Sequence, residues 1–218
     1  MHRTFYIVAI FIFLAGSPEP MAAAAASSDL TVSWSITITS KKGGDMGIGE
    51  TYNGGVETFF AGAGQARIRL VSLMRIQSIF MSSGNGQDGK FTIVKESGKD
   101  KYVTSLTGKE WEVYNKKYAG AEAKLTDDTV QILHHVCKKA TIVLKDGKVI
   151  TAWYAPTIQE PMFSRLEPAF TGIPGLVLKY EYIYRKKTIS YTATTISRNP
   201  ISREIFAVPA AGADSRGR

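Results

Sequence analysis

The sequence predicts a mainly β domain: a strongly curved antiparallel sheet or an open half-barrel with little helix, with a two-sheet β-sandwich as the competing architecture. Three observations carry this expectation. Apolar residues recur at every second position in short runs, as in residues 30–39, where Val32, Trp34, Ile36 and Ile38 alternate with Ser33, Ser35, Thr37 and Thr39. Turn-forming pairs such as Asp146-Gly147 punctuate those runs. No segment carries a long apolar repeat of about 3.6 residues, so the crossover helices that a parallel sheet requires are missing.

The elements follow in order. Residues 41–55 form a glycine-containing loop without period. Residues 59–81 resume alternation, which places Ile68, Leu70, Met74, Ile76 and Phe80 on one face and Arg67, Arg69, Arg75 and Gln77 on the other. Val71 and Leu73 then fall on the polar face, which calls for a covered patch or a bulge. Residues 84–89 read as a glycine-rich turn and lack the Lys and Ser/Thr spacing of a phosphate-binding loop. Residues 91–94, 101–106 and 111–114 read as short strands, with Gly108 in a hairpin turn between the last two. Residues 118–123 carry little pattern. A strand over 130–136 leads into 139–145, and Asp146-Gly147 predicts a type I′ hairpin into 148–154. Pro156, Pro161 and Pro168 punctuate a loop with room for one helical turn at 164–169. Beyond Gly172-Ile173-Pro174-Gly175, the residues Leu176, Leu178, Tyr180, Tyr182 and Tyr184 share a face. Arg185-Lys186-Lys187 turns the chain into a strand over 188–197, and Ile201, Ile205, Phe206 and Val208 dock the closing segment.

The 218 residues suffice for one domain with a sizeable core. The formal charge of +8 suits an anionic surface such as a membrane face. Its lysines and arginines are scattered in short runs at turns and strand ends, and no nucleic-acid partner is expected. The first residues read as an address. Met1-His2-Arg3 is basic, residues 5–15 are apolar but shorter than the ~20 that cross a bilayer, and small residues precede Ser27. The expectation is a signal peptide over 1–26, a single β-rich domain over 27–209, a disordered tail over 210–218, and export to a Gram-negative envelope, periplasmic or released. Cys137 stands alone and cannot form an internal disulfide.

Gly172-Ile173-Pro174-Gly175-Leu176-Val177 resembles the signature of the GLPGLI family of Bacteroidetes exported proteins, with Ile for Leu at 173 and Val for Ile at 177. Arg69-Leu70-Val71-Ser72, Cys137-Lys138-Lys139-Ala140-Thr141, Thr151-Ala152-Trp153-Tyr154-Ala155-Pro156 and Phe206-Ala207-Val208-Pro209 are similar to pieces of the same family in the same order. The tail beyond Pro209 departs from its pattern. The resemblance implies a fold similar to LolA-like lipoprotein carriers, whose curved antiparallel sheet shelters an acyl chain. The signature residues and Cys137 read as structural: Pro174 fixes φ, and Gly172 and Gly175 allow angles or close approaches that a side chain forbids.

Few residues suggest chemistry. His134, His135 and Cys137 are the one candidate metal cluster, and no second cluster completes a four-ligand site, so neither metal nor cofactor is expected. No Gly-x-Ser-x-Gly elbow is present, and Asp127-Asp128 sits in a turn beside Lys124, so no enzyme is expected. What is left is aromatic and apolar. Trp34, Trp153, Phe163, Phe170, Leu178 and Tyr180 are candidates for an apolar ligand groove, or else they are the core. The expected function is non-enzymatic binding of a lipid or other apolar ligand. The alternative is an envelope protein partner, engaged through a sheet edge or the 155–170 loop.

Overall fold

The computed structural model describes residues 29–40, 51–83 and 89–209. The expected signal peptide, the tail over 210–218 and nearly all of the 84–89 turn lie outside the described residues. The chain forms eleven strands: β1 (Leu30–Ser40), β2 (Val56–Gly62), β3 (Gln65–Val71), β4 (Ile76–Ser82), β5 (Lys90–Ser97), β6 (Asp100–Leu106), β7 (Glu122–Ile132), β8 (His135–Val143), β9 (Val149–Ala155), β10 (Leu176–Tyr184) and β11 (Lys187–Ser197). They make one antiparallel sheet in the order β6-β5-β4-β3-β2-β1-β11-β10-β9-β8-β7. The first and last strands pair at its middle, so one arm runs out to the β6 edge and the other to the β7 edge. Those edges do not pair, and the sheet is curved but unclosed. The mainly β, half-barrel expectation holds, and the sandwich does not.

Because β6 and β7 are opposite edges, the segment between them crosses the whole sheet. It carries helix α1 (Gly108–Tyr114) and a 3-10 turn at Lys116–Tyr118. A second inserted segment, between β9 and β10, carries helix α2 (Pro161–Leu166) and a 3-10 turn at Pro168–Phe170. Both lie in the concavity. The Trp111 ring stacks on Phe91 at 4.6 Å and its Nε1 donates to the Arg165 carbonyl at 2.9 Å, which ties α1 to α2. Phe163 stacks on Trp34 at 5.6 Å and meets Phe59 edge-on at 5.4 Å, which seats α2 on the sheet.

Four local expectations are corrected. Residues 111–114 are helical, because Thr107 and Glu110 form a reciprocal capping box: the Thr107 hydroxyl accepts from the Glu110 N–H at 3.3 Å, and the Glu110 carboxylate accepts from the Thr107 N–H at 2.8 Å. Residues 59–81 contain two hairpin turns. Ala63 (φ 48°) and Gly64 (φ 73°) make the first, and the Ser72 N–H closes the second on the Arg75 carbonyl at 2.9 Å. Phe80 consequently faces away from Ile68, on the Arg67 side, with the guanidinium 4.7 Å over its ring. At Asp146-Gly147 only the glycine is left-handed (φ 78°), and the Leu144 and Lys148 backbones bond around a three-residue loop instead of a type I′ pair. Residues 130–136 are interrupted by a turn at Leu133 (φ 47°) and His134 (φ 67°), so the two histidines do not share a strand.

The Gly172–Gly175 corner delivers the chain from α2 onto β10. Gly172 has φ 93° and Gly175 φ 153°. A Cβ on Gly175 would strike the Ala155 carbonyl, lying 2.8 Å from its carbon and 2.9 Å from Pro156 Cα. This close approach lets the Leu176 N–H reach the Ile158 carbonyl at 2.9 Å.

Candidate functional site

Register decides which side chains meet in the concavity. On β2, Glu57, Phe59 and Ala61 point inward, and Glu57 lies between Trp34 of β1 and Leu70 of β3. On the other arm, Tyr180 pairs with Tyr191, and Tyr191 pairs in turn with Ile36 of β1. Tyr182 and Ile189 pair one step nearer the end where β1 finishes, and Ile189 pairs with Ile38. Of these residues Glu57, Leu70, Ile38, Ile189 and the three tyrosines line a cavity of about 500 Å³. Lys117, Tyr118, Glu167, Ala169 and Phe170, contributed by the two inserted segments, also line it. Asp146, Lys148, Ile183 and Tyr184 stand at its mouth.

The apolar walls surround a polar centre. Glu57 is 6% exposed, and the Tyr180 phenol shares its cavity and favours its charged form. Tyr180 stacks on Tyr191 at 4.3 Å and packs edge-on against Phe170 at 5.0 Å. Tyr191 and Tyr182 line the same cavity beside it. Burial pushes the Glu57 carboxyl well above its ordinary range, the charge of Glu167 adds to that, and the Tyr180 hydroxyl opposes it. Burial pushes Glu167 up to about 7, against the pull of Lys117. The Glu167 residue is partly open to cavity space, yet enough water is displaced by its surroundings to favour the neutral form. Tyr182 is raised to about 12, first by burial and then by its charged and phenolic neighbours, and Tyr180 and Tyr191 are raised for the same leading reason. At neutral pH the phenols therefore keep their protons, and the carboxyl pair does not carry two full charges. The arrangement offers hydrogen-bond donors and acceptors beside apolar walls, in a pocket whose volume falls within the ~300–1,000 Å³ usual for small-molecule sites.

The six groove candidates separate. Phe170 and Tyr180 line the cavity. Trp34 and Phe163 are packed core, with Phe163 stacked on Trp34 at one side and on Phe170 at 5.7 Å at the other. Leu178 is fully buried where the β9–β10 register shifts between Val177 and Lys179. Trp153 lies on the opposite face: its neighbours Ala152 and Tyr154 are buried inward, while it pairs with Lys139 and Lys179 and has the Lys139 ammonium 5.8 Å over its ring. Cys137 is buried, and burial pushes its thiol up to about 11. Gly172, Ile173, Pro174 and Gly175 form the corner, and Leu176 and Val177 enter the core beyond it. Glu57, Glu167, Tyr182 and Tyr191 do not figure among the groove candidates from the sequence. The available signal for Glu57 was an acid at an inward position of an alternating strand. Among the described residues no group of three or more His, Cys, Asp or Glu is arranged to hold a metal, and no helix is long and apolar enough to cross a membrane.

No family model and no curated protein matches the sequence. Among solved structures, the chain is similar to PNGF-II with a TM-score of 0.43 and 15% identity over 81% of this chain, spanning only 29% of that one. It is also similar to the Mycobacterium tuberculosis lipoprotein LppX, with a TM-score of 0.32 and 11% identity over 79% of this chain and 88% of that one. Both scores are too low to carry a mode of action to this chain.

Proposed function

We propose that this chain is a non-enzymatic exported protein of the bacterial envelope that shelters an amphiphilic ligand in its concave cavity. The ligand's apolar body lies against Ile38, Leu70, Ile150 and Phe170, and its polar end meets Glu57, Glu167 and the tyrosines. One observation carries the reading: the buried Glu57 carboxyl, with Tyr180 and Glu167 beside it, shares a cavity of about 500 Å³ with Ile38, Leu70, Ile150 and Phe170. Such a centre fixes the orientation of a ligand whose affinity comes from burial of its apolar part. The basic, apolar and small-residue order of positions 1–27 supports export. The motif resemblance at Gly172–Val177 supports kinship with the GLPGLI family and with lipid carriers of the LolA kind.

The test is titration with N-phenyl-1-naphthylamine, a probe that brightens in apolar surroundings. Saturable brightening that is abolished by Leu70→Trp, with the far-ultraviolet dichroism unchanged, supports the reading. Equal brightening of the wild type and the filled variant rejects it.

A further inference from the structure

The cavity opens at one end of the sheet, and the pairing registers show which turns share that end. Ser40 of β1 pairs with Lys187, Tyr184 pairs with Lys187, Val143 pairs with Val149, Val71 pairs with Ile76, and Ser97 pairs with Asp100. The β3–β4, β5–β6, β8–β9 and β10–β11 turns therefore all lie at the mouth. We propose that this rim docks on an anionic lipid surface, which brings the cavity mouth against the bilayer.

Two kinds of side chain meet there. Leu73 is 86% exposed and Met74 63% exposed, both in the β3–β4 turn, and Ile183 (67%) and Tyr184 (47%) stand at the end of β10. The latter two also line the cavity, so the exposed apolar surface is continuous with its wall. Around them the turns carry Arg75, Lys99, Lys145, Lys148, Arg185 and Lys186, against Asp100 and Asp146 among the described turn residues. Asp146 is itself bonded to Lys148. Arg75 is anchored by the Tyr52 hydroxyl at 3.2 Å, and the Arg185 guanidinium lies 5.3 Å over the Tyr184 ring.

Single exposed apolar residues are ordinary on a protein surface, and Val113 and Val136 supply examples elsewhere on this one. The combination at the rim is specific to an interface of acidic lipids. Apolar tips enter the boundary between headgroups and acyl chains, and neighbouring cations are held by the surface potential. A neutral membrane satisfies the first kind of group only, and a polyanion in water the second only. The inference goes beyond the ligand reading and does not depend on it, because docking is measured with the cavity empty.

The experiment is co-sedimentation of the chain from Ser27 onward, which contains every described residue, with vesicles of equal parts phosphatidylcholine and phosphatidylglycerol. Vesicles of phosphatidylcholine alone are the control. Binding to the anionic vesicles that weakens with added salt is expected. Arg185→Asn with Lys186→Asn removes two cations while suiting the positive φ of both positions, and should lower binding about tenfold or more. Leu73→Ser with Met74→Ser should lower it to a similar extent. Val113→Ser with Val136→Ser, remote from the mouth, should bind as wild type does. Leu70→Trp should also bind vesicles as wild type does, which separates docking from cavity occupancy. No sedimentation with anionic vesicles, equal sedimentation with neutral ones, or rim variants that bind as tightly as wild type would each overturn the proposal.

Discussion

Tyr180 on β10 and Glu57 on β2 line the same cavity on the concave face, although β1 and β11 lie between their strands. Three strand steps in a flat sheet hold two residues about 14 Å apart. Their convergence thus reports the curvature of the sheet as well as the polar centre of the cavity. It joins the two arms that meet at β1 and β11.

The carboxyl pair makes stability depend on pH in an unusual direction. Glu167 is raised from 4.5 to about 7 in the folded chain, with Glu57, Lys117 and the three tyrosines around it. The folded state therefore binds more protons than the unfolded state across that window. Stability from this group is present below the lower value and is lost as pH rises through the upper one. Glu167→Gln should raise the unfolding free energy by about 2 kcal/mol near pH 8, after allowance for water in the cavity, and by almost nothing near pH 4. Thermal melts of both proteins across that range check it. A gain of equal size at both ends contradicts it.

The Gly175 corner tolerates no side chain. Gly175→Ala must displace the Ala155 carbonyl and hold φ at 153°, so a loss of about 3 kcal/mol is expected in urea unfolding. Gly172→Ala has open space around it at φ 93° and should cost about 1 kcal/mol. Comparable losses at the two positions would show that steric contact is not what selects the second glycine.

Asp29 ties the closing segment to the start of β1. It is 2% exposed and accepts from the Ile201 N–H at 2.8 Å and from Arg203 Nη2 at 3.2 Å. Asp29→Ala strands those donors and should destabilise by about 2 kcal/mol. Arg203, whose side chain is half exposed, should cost less on truncation. Parallel denaturant curves decide the order.

Cys137 should be chemically silent in the folded protein. Its thiol is buried and pushed up to about 11, so little thiolate forms at neutral pH. Ellman's reagent should detect no thiol in the native chain and a full equivalent in urea. Rapid native labelling would mean that β8 opens readily.

The strands were legible where one face is uniformly apolar. Val32, Trp34 and Ile36 announce β1, because each fills an inward position opposite serines. The helix at Trp111 was hidden by aromatic and β-branched residues, which favour strands by propensity, and only the Thr107–Glu110 spacing signalled otherwise. Half of the cavity was also invisible. Glu57 and Glu167 are solitary acids in distant segments, and only the curvature of the sheet and the placement of the α2 segment make them neighbours. Trp153 shows the converse error: a large aromatic suggested the interior, while the parity of β9 places it with Lys139 outside.

Native mass spectrometry of the chain from Ser27 onward, purified from envelope fractions beside Leu70→Trp, tests the binding account most directly. The account predicts a wild-type population heavier by one extractable amphiphile and a filled variant that carries none. Wild-type protein that is ligand-free and stays so after incubation with envelope lipid extract, or a filled variant with the same added mass, would contradict it.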